Sequence, residues 1–114
     1  MLNASALMAL LEFRRKRNWE QFHTPKELAA ALAIEASELP EVFQWKSDEE
    51  VARLLASPAR ELVADEIADV AIVLYYLCHD IGIDLDAAVP AKLKKNEAKY
   101  PVEKAFGNAN KYDE

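Results

Sequence analysis

Glycine is nearly absent from this chain: only Gly82 and Gly107 occur among 114 residues, so the first 81 contain none. Strands joined by tight hairpins need turn residues of this kind, and most of the chain does not supply them. Alanine, leucine, glutamate and lysine, which favour helix, are abundant instead. The sequence therefore predicts an all-α fold, a bundle of about four to five helices.

Capping signals divide the chain into five predicted helices. Thr24 with Glu27 three residues later is typical of a helix start, and Ser47 opens a second segment in the same way. Gly82 is placed to end the longest helix, and Pro40 is expected to bend the helix that contains it. The predicted helices cover about residues 5–17, 24–45, 47–55, 58–80 and 85–99, and a loosely ordered tail begins at about residue 102.

Composition and charge exclude several classes of function. A formal net charge of −6 weighs against binding to a nucleic-acid polymer, which needs a basic face. The single cysteine, Cys78, cannot form an intrachain disulfide, which fits a reducing compartment. The longest apolar stretch, residues 70–78, is too short to cross a bilayer, and the N-terminus has no signal-peptide pattern. We therefore expect residues 1–114 to form one cytoplasmic domain without a membrane or nucleic-acid partner.

Four acidic residues stand where the helical pattern predicts apolar ones. Glu35 interrupts the apolar stripe that includes Leu28, and Glu38 lies beside it one turn later. Glu66 and Asp69 interrupt a similar stripe on the fourth predicted helix. Either pair alone is commonly a solvated edge of a helix. Both pairs together, each on an apolar stripe, indicate buried carboxylates, and buried carboxylates need a partner. If the two helices pack side by side, the four acids converge into an all-oxygen site that suits Mg²⁺ or Mn²⁺.

Other cofactor sites are not indicated by the sequence. No histidine follows the acid pairs at the Glu-x-x-His spacing of di-iron bundles. Cys78 and His79 are adjacent rather than at zinc-ligand spacing, and both are interpreted as structural. No glycine-rich phosphate loop occurs, which excludes a P-loop enzyme.

Aromatic and basic residues at the helix ends are the remaining candidates for ligand binding. Trp19 is predicted in the connector after the first helix and Trp45 at the end of the second, where they either stack on a nucleobase or close the end of the bundle. A polar face on the fifth helix and its end either contacts phosphate oxygens or is an ordinary solvated lysine-rich surface. It consists of Lys92, Asn96, Lys99 and Tyr100.

Several short motifs together resemble one protein family. They are W-E-Q-F-H at residues 19–23, E-x-x-E at 35–38, F-Q-W at 43–45, E-x-x-D at 66–69 and K-Y-P at 99–101. In combination they resemble the MazG-like all-α nucleoside triphosphate pyrophosphatases, in their small dCTP pyrophosphatase-like branch. The resemblance covers nearly the whole chain, from about residue 19 to residue 112.

The resemblance implies a Mg²⁺-dependent hydrolase that removes unwanted nucleotides from the pool. Its substrate would be a (deoxy)nucleoside triphosphate, dCTP-like or with a modified base, cleaved to the monophosphate and pyrophosphate by a homodimer or homotetramer. Glu38, with Glu35 beside it, is the predicted catalytic carboxylate that orients the attacking water. The implied site residues are Glu35, Glu38, Glu66 and Asp69 as metal ligands, Trp19 and Trp45 as base contacts, and Lys92, Asn96, Lys99 and Tyr100 as phosphate and sugar contacts.

Two positions depart from the family pattern. Ile34 stands where fuller patterns have a glutamate directly before the first ligand, which removes one possible metal ligand. Val73 stands where this branch often has a tyrosine, so the choice of nucleoside stays open. Two alternative functions also stay open: a non-enzymatic helical interaction module, and an enzyme that releases orthophosphate from a nucleoside monophosphate.

Overall fold

A computed structural model describes residues 2–111 of the chain, and helices account for all the regular structure in that range. The helices are α1 (Ala4–Lys16), α2 (Pro25–Phe43), α3 (Asp48–Leu55), α4 (Arg60–Ile81), α5 (Leu85–Lys99) and α6 (Val102–Ala105). One 3₁₀ turn, Glu20–Phe22, connects α1 to α2. The predicted all-α fold class is confirmed.

The helix ends follow the capping signals in the sequence. The Thr24 hydroxyl accepts a hydrogen bond from the backbone N–H of Glu27 at 3.2 Å, and Ser47 forms a complete capping box with Glu50. Gly82 ends α4 in the left-handed conformation, with φ 72°, which costs glycine no steric strain. These ends are set by local chemistry, which is why the sequence predicts them.

Three boundaries differ from the prediction. Helix α2 continues through Pro40 and ends at Phe43, short of Trp45, whose backbone is left-handed with φ 65°. Helix α4 begins at Arg60 rather than residue 58, because the Ser57 hydroxyl accepts from the backbone N–H of Ala59 in a preceding turn. The first residues of the predicted tail form α6, and residues 112–114 of that tail lie outside the described part of the chain.

The chain divides into two compact units, one running from Leu2 to Gly82 and one beginning at Ile83. In the first unit α2 packs along α4, and α1 contacts α4. The buried apolar side chains of this unit are Leu28, Val63, Tyr76 and Cys78. This small core brings the acidic positions of α2 to those of α4.

The second unit contains α5 and α6. The side chain of Asp84 caps α5 by accepting from the backbone N–H of Asp86 at 3.0 Å. Pro101 separates the two helices, and its carbonyl oxygen then accepts from Lys104 and Ala105 as α6 begins. Within residues 2–111, none of the helices combines the length and apolar character needed to span a membrane.

Arg14 is a charged residue buried in the first unit, with only 6% of its surface exposed. Its guanidinium group donates two hydrogen bonds to the Asp80 carboxylate, at 2.8 and 2.5 Å. It also lies 4.7 Å from the ring centroid of Tyr76, whose hydroxyl donates to the Leu10 carbonyl at 2.9 Å. These polar contacts therefore hold α1 against α4.

Replacing Asp80 with asparagine is expected to lower the free energy of unfolding by about 1–3 kcal/mol at pH 7, because a buried guanidinium loses its anionic partner. Hydrogen bonding to Arg14 holds the pKa of the Asp80 carboxyl below its usual range. A carboxyl group whose pKa is lower in the folded state stabilises the fold at pH values above its unfolded-state pKa. That stabilisation is lost as the pH falls through the folded-state pKa. The deficit of the variant should therefore persist down to about pH 5 and shrink below about pH 4. Urea unfolding of both proteins across this range measures it.

The matched control for this prediction is the Glu12–Arg15 ion pair on the surface of α1. Its side chains are 42% and 64% exposed, against 22% for Asp80 and 7% for Arg14. Exposed pairs contribute little to stability, so Glu12→Gln should leave the urea midpoint nearly unchanged. Equal losses in the two variants would contradict the assignment of a stabilising role to the partly buried Arg14–Asp80 pair.

Candidate metal centre and nucleotide pocket

Three of the predicted acids meet where α2 packs on α4. Glu35 and Glu38 lie one turn apart on α2, and Glu66 faces them from α4. One carboxylate oxygen from each of the three lies within 4.8 Å of the other two, and all three residues are half-buried. Because like charges repel strongly at this separation, the acidic cluster is an arrangement that a cation would stabilise.

The Glu66 carboxylate supplies an independent sign that a group belongs in this cluster. Its Oε2 atom is buried and has no hydrogen-bond partner among residues 2–111. Burial raises the pKa of Glu66, and the charge of Glu38 raises it further. An unpartnered buried oxygen is costly unless something binds it. Hard oxygen ligands are the donors that Mg²⁺ and similar ions take, so the acidic cluster could bind a metal ion.

The pKa of Glu35 is raised for the same reasons. Burial is the largest cause, and the charges of Glu38 and then Asp69 add to it. A site whose own carboxylates oppose one another's ionisation holds a cation more tightly once all are ionised. The electrostatics of the cluster therefore favour a positive ligand.

Asp69 occupies a different position from the other three acids. It is exposed, lies one turn after Glu66 on α4, and is not one of the three residues whose oxygens converge. It does line a pocket together with Glu35. The role of Asp69 as a fourth metal ligand stays a prediction.

A pocket of about 490 Å³ lies directly beside Glu35 and Asp69. Ligand pockets for small molecules have volumes of about 300–1,000 Å³ and mostly apolar linings with a few polar groups. This one fits that description, because aromatic and aliphatic side chains form most of its wall. The ring-bearing residues in the wall are Phe13, Trp19, Phe22, His23 and Tyr76.

Trp19 is placed in this wall by the connector between α1 and α2. Asn18 takes a left-handed backbone conformation, φ 53°, which asparagine tolerates better than most residues. The Trp19 ring then packs edge-on against Phe13, with ring centroids 5.6 Å apart. The Arg17 guanidinium lies over Phe13 at 3.8 Å from its centroid. Trp19 remains 42% exposed, so one part of the indole is available to a ligand.

Trp45 lies outside the pocket wall. It follows the end of α2, is 91% exposed, and holds φ at 65°. A left-handed conformation is unfavourable for a bulky residue, and such strain is concentrated at functional sites. Its exposure excludes the alternative that Trp45 closes the end of the bundle within this chain.

The predicted phosphate and sugar contacts belong to the second unit. Lys92 and Lys99 are close enough that the charge of Lys99 lowers the pKa of Lys92. Lys99 and Tyr100 also line a separate pocket of about 250 Å³ to which Lys104 and Lys111 contribute. This part of the chain therefore carries concentrated positive charge, and its contact with phosphate stays a prediction.

Two residues of the pocket wall, His23 and Tyr76, are not among the site residues predicted from the sequence. His23 is the last residue of the W-E-Q-F-H motif, which was the available signal. Tyr76 lies one turn after Val73, and both line the pocket. Tyr76 therefore places an aromatic ring in the pocket wall beside Val73, and its hydroxyl donates to the Leu10 carbonyl.

Sequence comparison assigns the chain to a family. The profile of the MazG-like family matches residues 30–114, which include the four acids and the polar face of the fifth predicted helix. The chain belongs to the MazG-like family, and the resemblance seen in its motifs is confirmed.

Individual relatives give a more specific similarity. The chain is 43% identical over 102 residues to dCTP pyrophosphatase 1 from Bos taurus, and 41% identical over 104 residues to that from Homo sapiens. These matches cover 89% and 90% of this chain, but the chain spans only about 60% of the length of these relatives. A crystal structure of a pyrophosphatase from Archaeoglobus fulgidus DSM 4304 is 47% identical, with a TM-score of 0.75, over 83% of this chain and 88% of that one.

Proposed function

We propose that the chain is a nucleoside triphosphate pyrophosphohydrolase that uses Mg²⁺, or Mn²⁺ in its place, to clear dCTP-like or modified nucleotides from the pool. The observation that carries the proposal is the position of the acidic cluster, Glu35, Glu38 and Glu66, beside an aromatic pocket of about 490 Å³. The pocket suits a nucleobase, and the cluster suits the cation that accompanies a triphosphate. The named activity of the relatives supports the same reaction.

Each group of residues has a distinct task in this proposal. Bound at the acidic cluster, a divalent ion would offset charge on the phosphates and lower the pKa of a bound water. Glu38, assisted by Glu35, would orient the attacking water toward the α-phosphate, and Glu66 and Asp69 would complete the set of residues that hold the ion. Trp19 and Trp45 hold the base by stacking, which contributes about 1–3 kcal/mol per base.

The remaining predicted contacts and the assembly are parts of the same proposal. Lys92, Asn96, Lys99 and Tyr100 bind phosphate and sugar oxygens, which the concentration of positive charge in the second unit supports. The chain works as one MazG-like domain in a homodimer or homotetramer. Large apolar side chains on α2 and α4 support this assembly, because Ile34, Leu62 and Ile67 are 60%, 58% and 53% exposed.

The reaction is tested by the products formed from a panel of deoxy-, ribo- and modified-base triphosphates with Mg²⁺. We expect equal amounts of nucleoside monophosphate and pyrophosphate, with the highest kcat/KM for a cytosine or modified-pyrimidine deoxynucleotide. Release of orthophosphate from a nucleoside monophosphate would instead support the alternative chemistry.

Thermal unfolding distinguishes the enzyme from an interaction module. A ligand that binds only the folded state raises the midpoint of unfolding. We expect a nucleotide-dependent increase that needs Mg²⁺ and disappears with EDTA. No shift with any nucleotide, together with no turnover, would favour the interaction module.

A further inference from the structure

His23 lines the aromatic pocket and also contacts Arg14 of the partly buried Arg14–Asp80 pair. It is part of the pocket wall, and its ring centroid is 5.3 Å from that of Tyr76. Its Nδ1 atom is 3.3 Å from a guanidinium nitrogen of Arg14. The Nδ1 atom of His23 is therefore engaged by the protein, while the ring contributes to the wall of the pocket.

The chemistry of arginine fixes which nitrogen of His23 carries the proton. A guanidinium group has donors only, with no acceptor, and stays protonated in proteins. A hydrogen bond between Arg14 and Nδ1 therefore requires a lone pair on Nδ1, and the proton of a neutral imidazole then lies on Nε2. Arg14 cannot easily turn away, because the Asp80 carboxylate holds it through two hydrogen bonds and Tyr76 lies against it.

The charges that face His23 keep the ring neutral. They come from Arg14 of α1, Asp80 of α4 and Glu20 of the connector, and Tyr76 packs against the ring without carrying charge at neutral pH. Burial lowers the pKa of His23, and the positive charge of Arg14 lowers it further. Asp80 and Glu20 act in the opposite direction and are outweighed.

We propose that the Arg14–Asp80 pair is a positioning device that holds His23 as the Nε2–H tautomer, through which the pocket recognises a hydrogen-bond acceptor on a nucleobase. In this tautomer Nε2–H is the donor that the His23 ring can offer to a ligand in the pocket that it lines. The ring nitrogen N3 and carbonyl oxygen O2 of cytosine are acceptors of the required kind. The nature of the ligand rests on the proposed function, whereas the tautomer of His23 does not.

The tautomer can be read without nucleotide or metal. The chain has only two histidines, so His79→Gln, a change at an exposed position of α4, leaves a single imidazole to observe. Long-range ¹H–¹⁵N correlation spectra of this protein at pH 7.5 should show a protonated Nε2 and an unprotonated Nδ1. Adding Arg14→Gln should give a mixture of tautomers and a higher histidine pKa, because glutamine can accept from Nδ1 and carries no charge. A protonated Nδ1, or a mixture in the protein that retains Arg14, would overturn the proposal even if the enzyme is active.

Steady-state kinetics with dCTP and Mg²⁺ distinguish a positioning role of Arg14 from a role in stability alone. Arg14→Gln should raise KM about threefold to tenfold, the equivalent of one hydrogen bond, and change kcat by less than about twofold. Arg14→Lys, which also only donates, should restore most of the lost affinity. His23→Gln, whose amide N–H replaces Nε2–H, should bind dCTP more tightly than His23→Leu. An unchanged KM in His23→Leu would refute recognition through this ring, and if Arg14→Gln fails to fold, the spectrum of the His79→Gln protein decides alone.

Discussion

Glu66→Gln is expected to abolish turnover while raising the thermal stability of the metal-free protein. The substitution keeps the shape of the side chain, removes one negative charge from the acidic cluster, and offers an amide N–H to a neighbouring carboxylate. The buried Oε2, which has no hydrogen-bond partner in the described range 2–111, is thereby replaced by a group that can find one. Because a metal ion supplies much of the transition-state stabilisation in such a reaction, kcat/KM should fall about a thousandfold or more. Pyrophosphate release and calorimetric melts in EDTA measure the two effects.

Glu61→Gln is the matched control for this prediction. Glu61 is exposed in the first turn of α4, outside the acidic cluster, and its replacement changes the net charge by the same amount. It should retain full turnover, and its melt should respond to Mg²⁺ and nucleotide as the parent protein does. If Glu66→Gln kept its activity, or if it destabilised the metal-free protein, the cluster would not be a cation site.

The fold could be predicted wherever short-range chemistry decides it. The caps at Thr24 and Ser47 and the left-handed end at Gly82 depend on neighbours a few residues away, and the sequence shows those neighbours. The start of α4 was missed because two local signals compete at Ser57-Pro58: the serine hydroxyl binds the N–H of Ala59 and forms a turn before the helix. Helix α6 was missed because four residues carry too little pattern to predict.

The acidic cluster could be predicted in part. Helical spacing places Glu35 beside Glu38, and the interrupted apolar stripe on α4 identifies Glu66 as facing another helix. The helical pattern does not show how α4 is rotated about its own axis. In the structure this rotation leaves Asp69 exposed at the edge of the pocket, while Glu66 points into the acidic cluster. The difference between the two residues of this pair is a property of tertiary packing.

The contacts that support His23 in the pocket wall could not be predicted from sequence spacing. Arg14 and Asp80 are 66 residues apart, and nothing local indicates that they pair. A basic run at the end of α1 predicts a solvated helix end, and the structure buries one of its members, Arg14, while Arg15 stays at the surface. His23 acquires its defined tautomer only through that long-range contact. Residues such as His23 can be recognised as candidates only once the packing of the helices is known.

Trp45→Gly is expected to weaken nucleotide binding strongly without destabilising the protein. Trp45 contributes little to the core, because its side chain is 91% exposed, and glycine adopts the observed φ of 65° without the steric cost borne by tryptophan. Loss of one stacking contact corresponds to a rise in KM of about 5-fold to 150-fold. Trp45→Ala should raise KM equally while keeping the backbone strain, so it should melt below Trp45→Gly. Phe106→Ala is the control, since Phe106 is comparably exposed, at 88%, and should change neither quantity. An unchanged KM in both Trp45 variants would show that the strained, exposed indole serves something other than the base.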